Sequence, residues 1–534
     1  MTANGLWDFV ADTTAEDSDL TAVRSALSQA FTVREEPGAA GSGTHRRTWL
    51  DTFDWRLYKA GLTLHFEQAR RGGRLVLSKA DGTPQAEQPV TRWPRRPGLA
   101  QDLPPGPVRD RIAVLTSPRA LLPIVKAVST VSVTRLLNAD GKTVARLVTD
   151  HVTVNAPTGD TGGGTTAELP PRLAVAEVRG YPGQARKAMI LLSGVPGVSH
   201  ASQGVFTAAL TALGRHPADY TSSVEAEITA TMPAPVAVAR LLLRLLDTLE
   251  LNVDGVLRDI DTEFLHDLRV AVRRTRSAIK LLGGVLPADL VEHFKGEFKW
   301  LGDVTTPVRD LDVHLLGFDA LAEQLVAASP ADLEPLRAFL ARRRASEFRR
   351  LAATLRGPRF RAITDDWRKA LLEIRDVDGP RRRRPSAVAL ALSTTGRSFR
   401  RIVAQGGAIT TDSPPESLHD LRKRTKELRY LLEFFAPLHD PVAYRKVVSD
   451  LKQLQDCLGE FQDSEVQRHE IVDLADAMLA ERAAPAATLL AMGEIAARLA
   501  LSQAEARTEF AARFARFAGP AGQERVRVLL EGRS

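Results

Sequence analysis

The string His266-Asp-Leu-Arg269 returns 153 residues later as His419-Asp-Leu-Arg422. The same offset, without a gap, pairs Arg244 with Arg397, Arg273 with Lys426, Arg276 with Arg429 and Lys299 with Lys452. It also pairs Leu301 with Leu454, Asp303 with Asp456, Asp310 with Asp463 and Val313 with Val466. One constant offset over about 70 positions marks an internal duplication. The C-terminal half therefore reads as two copies of one unit, near 236–384 and 385–534. Copies of one unit usually pack about a pseudo-twofold axis, which brings equivalent faces together.

Apolar residues recur three and four apart, with charges between them, in runs such as Val238–Leu251, Leu333–Leu355 and Leu489–Phe517. That is helical periodicity, and strand signals nearly vanish after Val236. On such helices the histidine and the cations at +3, +7 and +10 fall within an arc of about 80°. They span about 15 Å along the axis. Each copy thus carries a straight cationic stripe near a helix N-terminus, where the dipole already favours anions. The flanks carry Leu268, Val270, Val272, Ile279 and Leu282, which are core-like. A linear polyanion is the natural ligand for two such stripes. The plainer readings are a solvated face for the arginines and lysines and a packing role for His266 and His419. Asp303, Asp310, Asp456 and Asp463 read as salt-bridge partners of nearby cations, or else as ligands of an anion-bound metal.

The first ~215 residues differ in kind, being rich in β-branched runs with strand-like alternation. Strands are expected at Leu62–Phe66, Arg74–Ser78, Ile124–Leu137, Thr143–Val154 and Leu173–Val178, and helices at Asp19–Phe31, Gln184–Leu192 and Gln203–Leu213. Asn138-Ala-Asp-Gly141 should make a hairpin turn, because Asp-Gly readily takes positive φ. Pro84–Pro107 and Asn155–Thr166, with Gly162-Gly-Gly164, read as loops. Prolines and small polar residues put the domain boundary at 216–235. At +7 over 534 residues the chain is only mildly basic, so its charge matters where it is concentrated. The single Cys457 excludes an intrachain disulfide and a multi-cysteine zinc site. No apolar run reaches the roughly 18–20 residues of a membrane span. A reduced, cytoplasmic setting is expected.

The helical half resembles a CHAD domain. His266-Asp-Leu-Arg…Arg…Arg with downstream Lys299-Trp-Leu-Gly302 and Arg309-Asp-Leu-Asp312 carries the likeness. So do His419-Asp-Leu-Arg-Lys-Arg-Thr-Lys426-Glu-Leu-Arg-Tyr430 and Leu451-Lys-Gln-Leu-Gln-Asp456. The resemblance implies two pseudo-symmetric four-helix bundles and a basic groove that holds inorganic polyphosphate. Its groove residues would be His266, Arg269, Arg273, Arg276, Lys299, His419, Arg422, Lys426, Arg429 and Lys452.

The first half resembles a CYTH (triphosphate tunnel) domain through Leu50-Asp-Thr52, Arg56-Leu57, Gly61-Leu-Thr-Leu64 and Leu75-Val-Leu-Ser-Lys79. Where that family places Glu-x-Glu-x-Lys, this chain has Leu6-Trp-Asp-Phe-Val10, with Asp8 the one acid kept. The basic cluster after Gly-Leu-Thr-Leu is replaced by His65-Phe-Glu67. A lone carboxylate holds Mg²⁺ weakly, so the resemblance implies a degenerate domain without hydrolytic activity. Lys79, Arg135, Arg146 and Glu177 are its remaining candidates.

The expected protein is α+β with two domains: a barrel-like antiparallel CYTH domain over 1–215, a linker over 216–235 and an all-α CHAD domain over 236–534. Its expected function is polyphosphate binding, on polyphosphate granules, with no catalytic residue, metal, cofactor or membrane and no specific nucleic acid. The alternatives are a metal-dependent tri- or polyphosphatase in the first domain, or nucleic-acid binding by the helical half.

Overall fold

The computed structural model describes residues 8–11, 20–69, 71–91, 97–156, 165–224, 226–376 and 385–531. It divides into two compact units, Met1–Thr221 and Ser222–Ser534. Leu6, Trp7, Gly162-Gly-Gly164 and Arg381–Arg384 lie outside the described residues.

In the first unit the strands are β1 Phe9–Ala11, β2 Thr32–Glu35, β3 Gly43–Asp51, β4 Leu62–Gln68, β5 Gly73–Lys79, β6 Pro84–Val90, β7 Gly98–Leu99, β8 Ala120–Leu137, β9 Thr143–Asn155, β10 Thr166–Glu168, β11 Arg172–Glu177 and β12 Val198–His200. Its helices are α1 Thr21–Ser28, α2 Arg56–Lys59, α3 Pro107–Thr116, α4 Pro182–Ser193 and α5 Val205–Ala212. The strands form one antiparallel sheet in the order β12-β1-β11-β9-β8-β3-β4-β5-β6, with β2 and β7 added on β8 and β10 on β9. The β8–β9 hairpin turns at Asn138–Gly141. Gly141 has φ 74°, and the Asn138 side chain accepts the backbone N–H groups of Asp140 and Lys142.

The sheet is open, which corrects the barrel-like expectation: its path ends on β12 and β6, and these strands do not pair. Closure needs matching edges with a consistent stagger. β12 has only three residues, and β6 carries Pro84 and Pro89, which lack an N–H to donate. The edge position explains why Pro84–Val90 is a strand where its prolines lead one to expect a loop. An edge strand tolerates proline because one side needs no ladder donor.

Both sheet faces are covered. Leu136, Ala145, Leu147, Leu173 and Val175 pack against α1 and α4, while Leu50, Leu64, Leu75 and Leu77 pack near α3. The opposite face carries Trp49, Val125, Val133, Val148 and Val152 and is capped by Val205, Ala209 and Leu210 of α5. Phe206 stacks on Trp49 at 5.8 Å. Arg135 and Arg146 are cross-strand neighbours, with Arg146 Nε 3.0 Å from Glu36. Glu177 stands opposite Ala145, so alternation puts it on the other face, and Lys79 is in phase with Leu75 and Leu77. The sheet therefore does not gather these four candidates. Asp8 accepts the Val175 backbone N–H at 2.9 Å.

The second unit is helical: α6 Ala234–Leu257, α7 Thr262–Leu282, α8 Ala288–Leu316, α9 Phe318–Ala322, α10 Glu334–Leu355, α11 Pro358–Arg375, α12 Ala387–Gly407, α13 Pro415–Phe434, α14 Pro441–Ala480, α15 Ala486–Ala518 and α16 Pro520–Glu531. The starts of α6 and α12, of α7 and α13, and of α8 and α14 are each 153 residues apart. His266 and His419 are thus both the fifth residue of an equivalent helix. Side-chain caps fix some of these starts. Asp261 accepts the Glu263 and Phe264 N–H groups, and Asp440 those of Val442 and Ala443.

From the third helix of each copy onward the two diverge. α14 runs 40 residues where α8 runs 29, and α15 runs 33 where α10 runs 22. The longer helices make a core shared by both copies. Phe318, Leu336, Phe339 and Leu340 pack with Ile471, Leu474, Met478, Met492 and Ile495. A second core, of Leu421, Leu428, Leu451, Leu458, Phe510 and Phe517, belongs to the second copy alone.

Candidate anion-binding site

The stripe helices α7 and α13 meet. Arg274 reaches Glu433 Oε2 at 2.7 Å, and Lys280 reaches Glu427 Oε1 at 2.5 Å. As the α7 partner advances six residues the α13 partner retreats six, so the two helices run antiparallel.

On α7, Arg269 is half-buried and already well bonded. Its Nη1 donates to the Gly302 carbonyl at 3.1 Å and to the Thr305 and Thr306 hydroxyls at 2.9 and 2.8 Å. Burial lowers its basicity; Asp310 opposes that effect, and Arg273, Arg309 and Arg276 add to it. Arg273 and Arg276 are exposed, and among the described residues neither makes an ion pair. On α13, Arg422 pairs with Asp463 at 2.8 Å and Arg429 with Glu433 at 2.7 Å. His419 Nδ1 hydrogen-bonds Gln462 Oε1. Lys299 pairs with Asp303 at 2.9 Å, and Lys452 is exposed on α14.

Lys426 ties the two stripes together. Its pKa is lowered to about 8, first by burial and then by Arg422 and by Arg273. Arg273 belongs to the other copy, so cations from both stripes lie within one electrostatic field. An unliganded protein keeps this clustering at a cost, which a bound anion would relieve. The counter-acids that are present can leave. Asp463 and Asp303 are 60% and 58% exposed, and exposed pairs are worth only about 0–1 kcal/mol.

Asp303 and Asp463 thus act as ion-pair partners. Among the described residues, no group of three or more His, Cys, Asp or Glu side chains comes together as a metal cluster. Sequence reasoning missed the groups that hold the stripes: Thr305, Thr306, Gln455 and Gln462, and the Arg274–Glu433 and Lys280–Glu427 pairs. The last two had a readable signal. Repeat positions 274/427 and 280/433 are both basic in the first copy and both acidic in the second.

The Lys426 ammonium sets a pH dependence. A polyanion favours its charged form, so the bound pKa lies above the free value of about 8. Affinity should be full below pH 8 and should fall as pH rises through that value. Titrations from pH 7 to 9.5 should show the fall in the wild type and a flatter profile in Lys426→Arg. Parallel profiles would remove Lys426 from the site.

Residues 240–472 match the CHAD domain family. No curated protein matches the chain. Among solved structures, the CHAD domain of the plant Ricinus communis is 23% identical, covering 58% of this chain and 96% of its own, at a TM-score of 0.42. PptA from Streptomyces chartreusis is 16% identical, covering 53% of this chain and 99% of its own, also at 0.42. A Bacillus halodurans protein described as an adenylate cyclase is 15% identical, covering 37% and 93%, at 0.22. Among the described residues, no helix is long and apolar enough to cross a membrane. With its duplicated histidine-and-arginine helices inside the matched stretch, this chain carries a CHAD domain over residues 240–472.

Proposed function

We propose that the helical unit binds inorganic polyphosphate along the cations of α7 and α13 and so places the protein on polyphosphate granules. His266, Arg269, Arg273, Arg276, Lys299, His419, Arg422, Lys426, Arg429 and Lys452 are the contact residues in this reading. The two copies act as pseudo-symmetric four-helix bundles over 236–384 and 385–534. The preceding domain, 1–215 with a linker over 216–235, is a degenerate CYTH domain. The observation that carries the reading is the convergence of Arg273, Arg422 and Lys426, two of them from one helix and one from the other copy.

A linear chain of closely spaced phosphates suits such a stripe because it can engage both copies at high effective concentration. Nucleic acid fits less well. Single-strand binders stack bases on aromatic side chains. Tyr430, at the end of the second stripe, is buried at 7% exposure and packs on Phe434 at 6.2 Å. Competition decides between the ligands. Long polyphosphate should displace labelled polyphosphate at concentrations, counted in phosphates, at least tenfold (~1.4 kcal/mol) below those of single-stranded DNA. Equal potency of the two would turn the reading into general polyanion attraction.

A further inference from the structure

We propose a second anion site, in a pocket between α7, α12 and α13, built from Lys280, Arg397, Arg401 and Arg424 and fitted to a single phosphoryl group or a pyrophosphate. The pocket has a volume of about 120 Å³, and its wall also includes Thr394, Ser398 and Glu427. A water needs on the order of 10–15 Å³ measured this way, so a compact anion fits and a bulky one does not.

The charge is unbalanced. Glu427 is the pocket's one carboxylate, and Lys280 already pairs with it at 2.5 Å. That leaves Arg397, Arg401 and Arg424, none with an ion pair among the described residues. Arg397 and Arg401 are four apart on α12 and share a face. Arg424 comes from the neighbouring helix. Three guanidinium groups around a concavity match the geometry of phosphoryl oxygens, to which arginine can donate in pairs. The Ser398 hydroxyl is a further donor in the wall.

The pocket is separate from the stripes. Arg424 follows Arg422 by two residues, so it lies about 200° around α13 from it. It is also confined to the second copy. At the repeat positions of Arg401 and Arg424 the first copy has Thr248 and Ala271, and at those of Thr394 and Ser398 it has Leu241 and Leu245, all four buried. The first copy thus buries uncharged side chains at these four positions, and the second sets Arg401 and Arg424 at two of them.

Calorimetric titration of the full-length chain with pyrophosphate tests the assignment. Arg401→Ala with Arg424→Ala should weaken pyrophosphate binding at least about tenfold. Arg273→Ala with Lys426→Ala, on the stripes, should change it less than about twofold. A parallel titration with long polyphosphate separates the sources of the phosphoryl group. Loss for pyrophosphate alone assigns free small phosphates, and loss for both ligands assigns chain ends. No binding of pyrophosphate to the wild type, unchanged affinity in the pocket variant, or equal loss in the stripe variant overturns the proposal. The arginines are exposed, so folding should survive. Should the double variant unfold, Arg401→Gln and Arg424→Gln singly carry the same expectation at about threefold each. The pocket can hold even if the stripes prove not to bind polyphosphate, because its ligand and its variants are different.

Discussion

Arg273→Ala combined with Lys426→Ala is expected to weaken long-polyphosphate binding about 100-fold near 0.1 M salt. The two side chains come from different copies, share one field and make no ion pair among the described residues, Asp463 opposing the cations around Lys426 only from beyond ion-pair distance. Hydrogen bonds to charged groups contribute roughly 1.5–3 kcal/mol each. Two such losses at the low end give about 3 kcal/mol, and each 1.4 kcal/mol is about tenfold. The salt dependence should shrink too, because fewer counterions are exchanged on binding. Neutralising the basic run Arg381–Arg384, which lies outside the stripes in the sequence, should cost much less. Asp463→Asn should act in the opposite direction, by freeing Arg422 from its 2.8 Å pair. For chains too short to reach both copies the penalty of the double variant should diminish. Equal losses from the Arg381–Arg384 and the stripe variants would mean diffuse electrostatics, and the stripes would no longer define a site.

The stripes are legible in the sequence because a helix converts spacing directly into direction. Positions +3, +7 and +10 share a face whatever surrounds the helix. A gapless offset also carries helix starts from one copy to the other, and three pairs of starts obey it. The offset stops being informative where α14 and α15 lengthen, because the core they complete draws residues from both copies. In the sheet unit, alternation locates the long strands β8 and β9 and the turn between them. It does not locate β6, where proline composition argues for a loop and only the edge position allows a strand. Nor does it reveal whether the sheet closes, because closure depends on how distant edges meet. Which face a lone candidate occupies is a matter of register, and register separates Glu177 from Arg146 although each lies on a correctly expected strand.

Reversing one charge at the contact of the two copies should be costly, and reversing its partner should restore most of the loss. Arg274 and Glu433 are 14% and 18% exposed, and Arg274 also donates to the Ser222 carbonyl at 2.7 Å. Breaking a buried pair by removing one partner costs roughly 3–5 kcal/mol, because the other charge is left uncompensated. Arg274→Glu should approach that figure, lowering the melting temperature by about 10 °C at roughly 2–4 °C per kcal/mol. Lys280→Glu should cost less, because Lys280 is 69% exposed. Duplication starts with equal copies, so each of these repeat positions once carried the same residue in both. Both positions are now basic in the first copy and acidic in the second. A first copy meeting another first copy would set Arg274 against Lys280, and two second copies would set Glu427 against Glu433. The sign reversal thus favours pairing of unlike copies within one chain over pairing of like copies between chains. Arg274→Glu with Glu433→Arg should recover more than half of the stability lost by either single variant, as measured in a double-mutant cycle by thermal unfolding. Some loss should persist, because the Ser222 carbonyl loses its donor and Glu433 also holds Arg429. If the two single losses simply add in the double variant, the pairs are incidental surface contacts and charge does not select the partner.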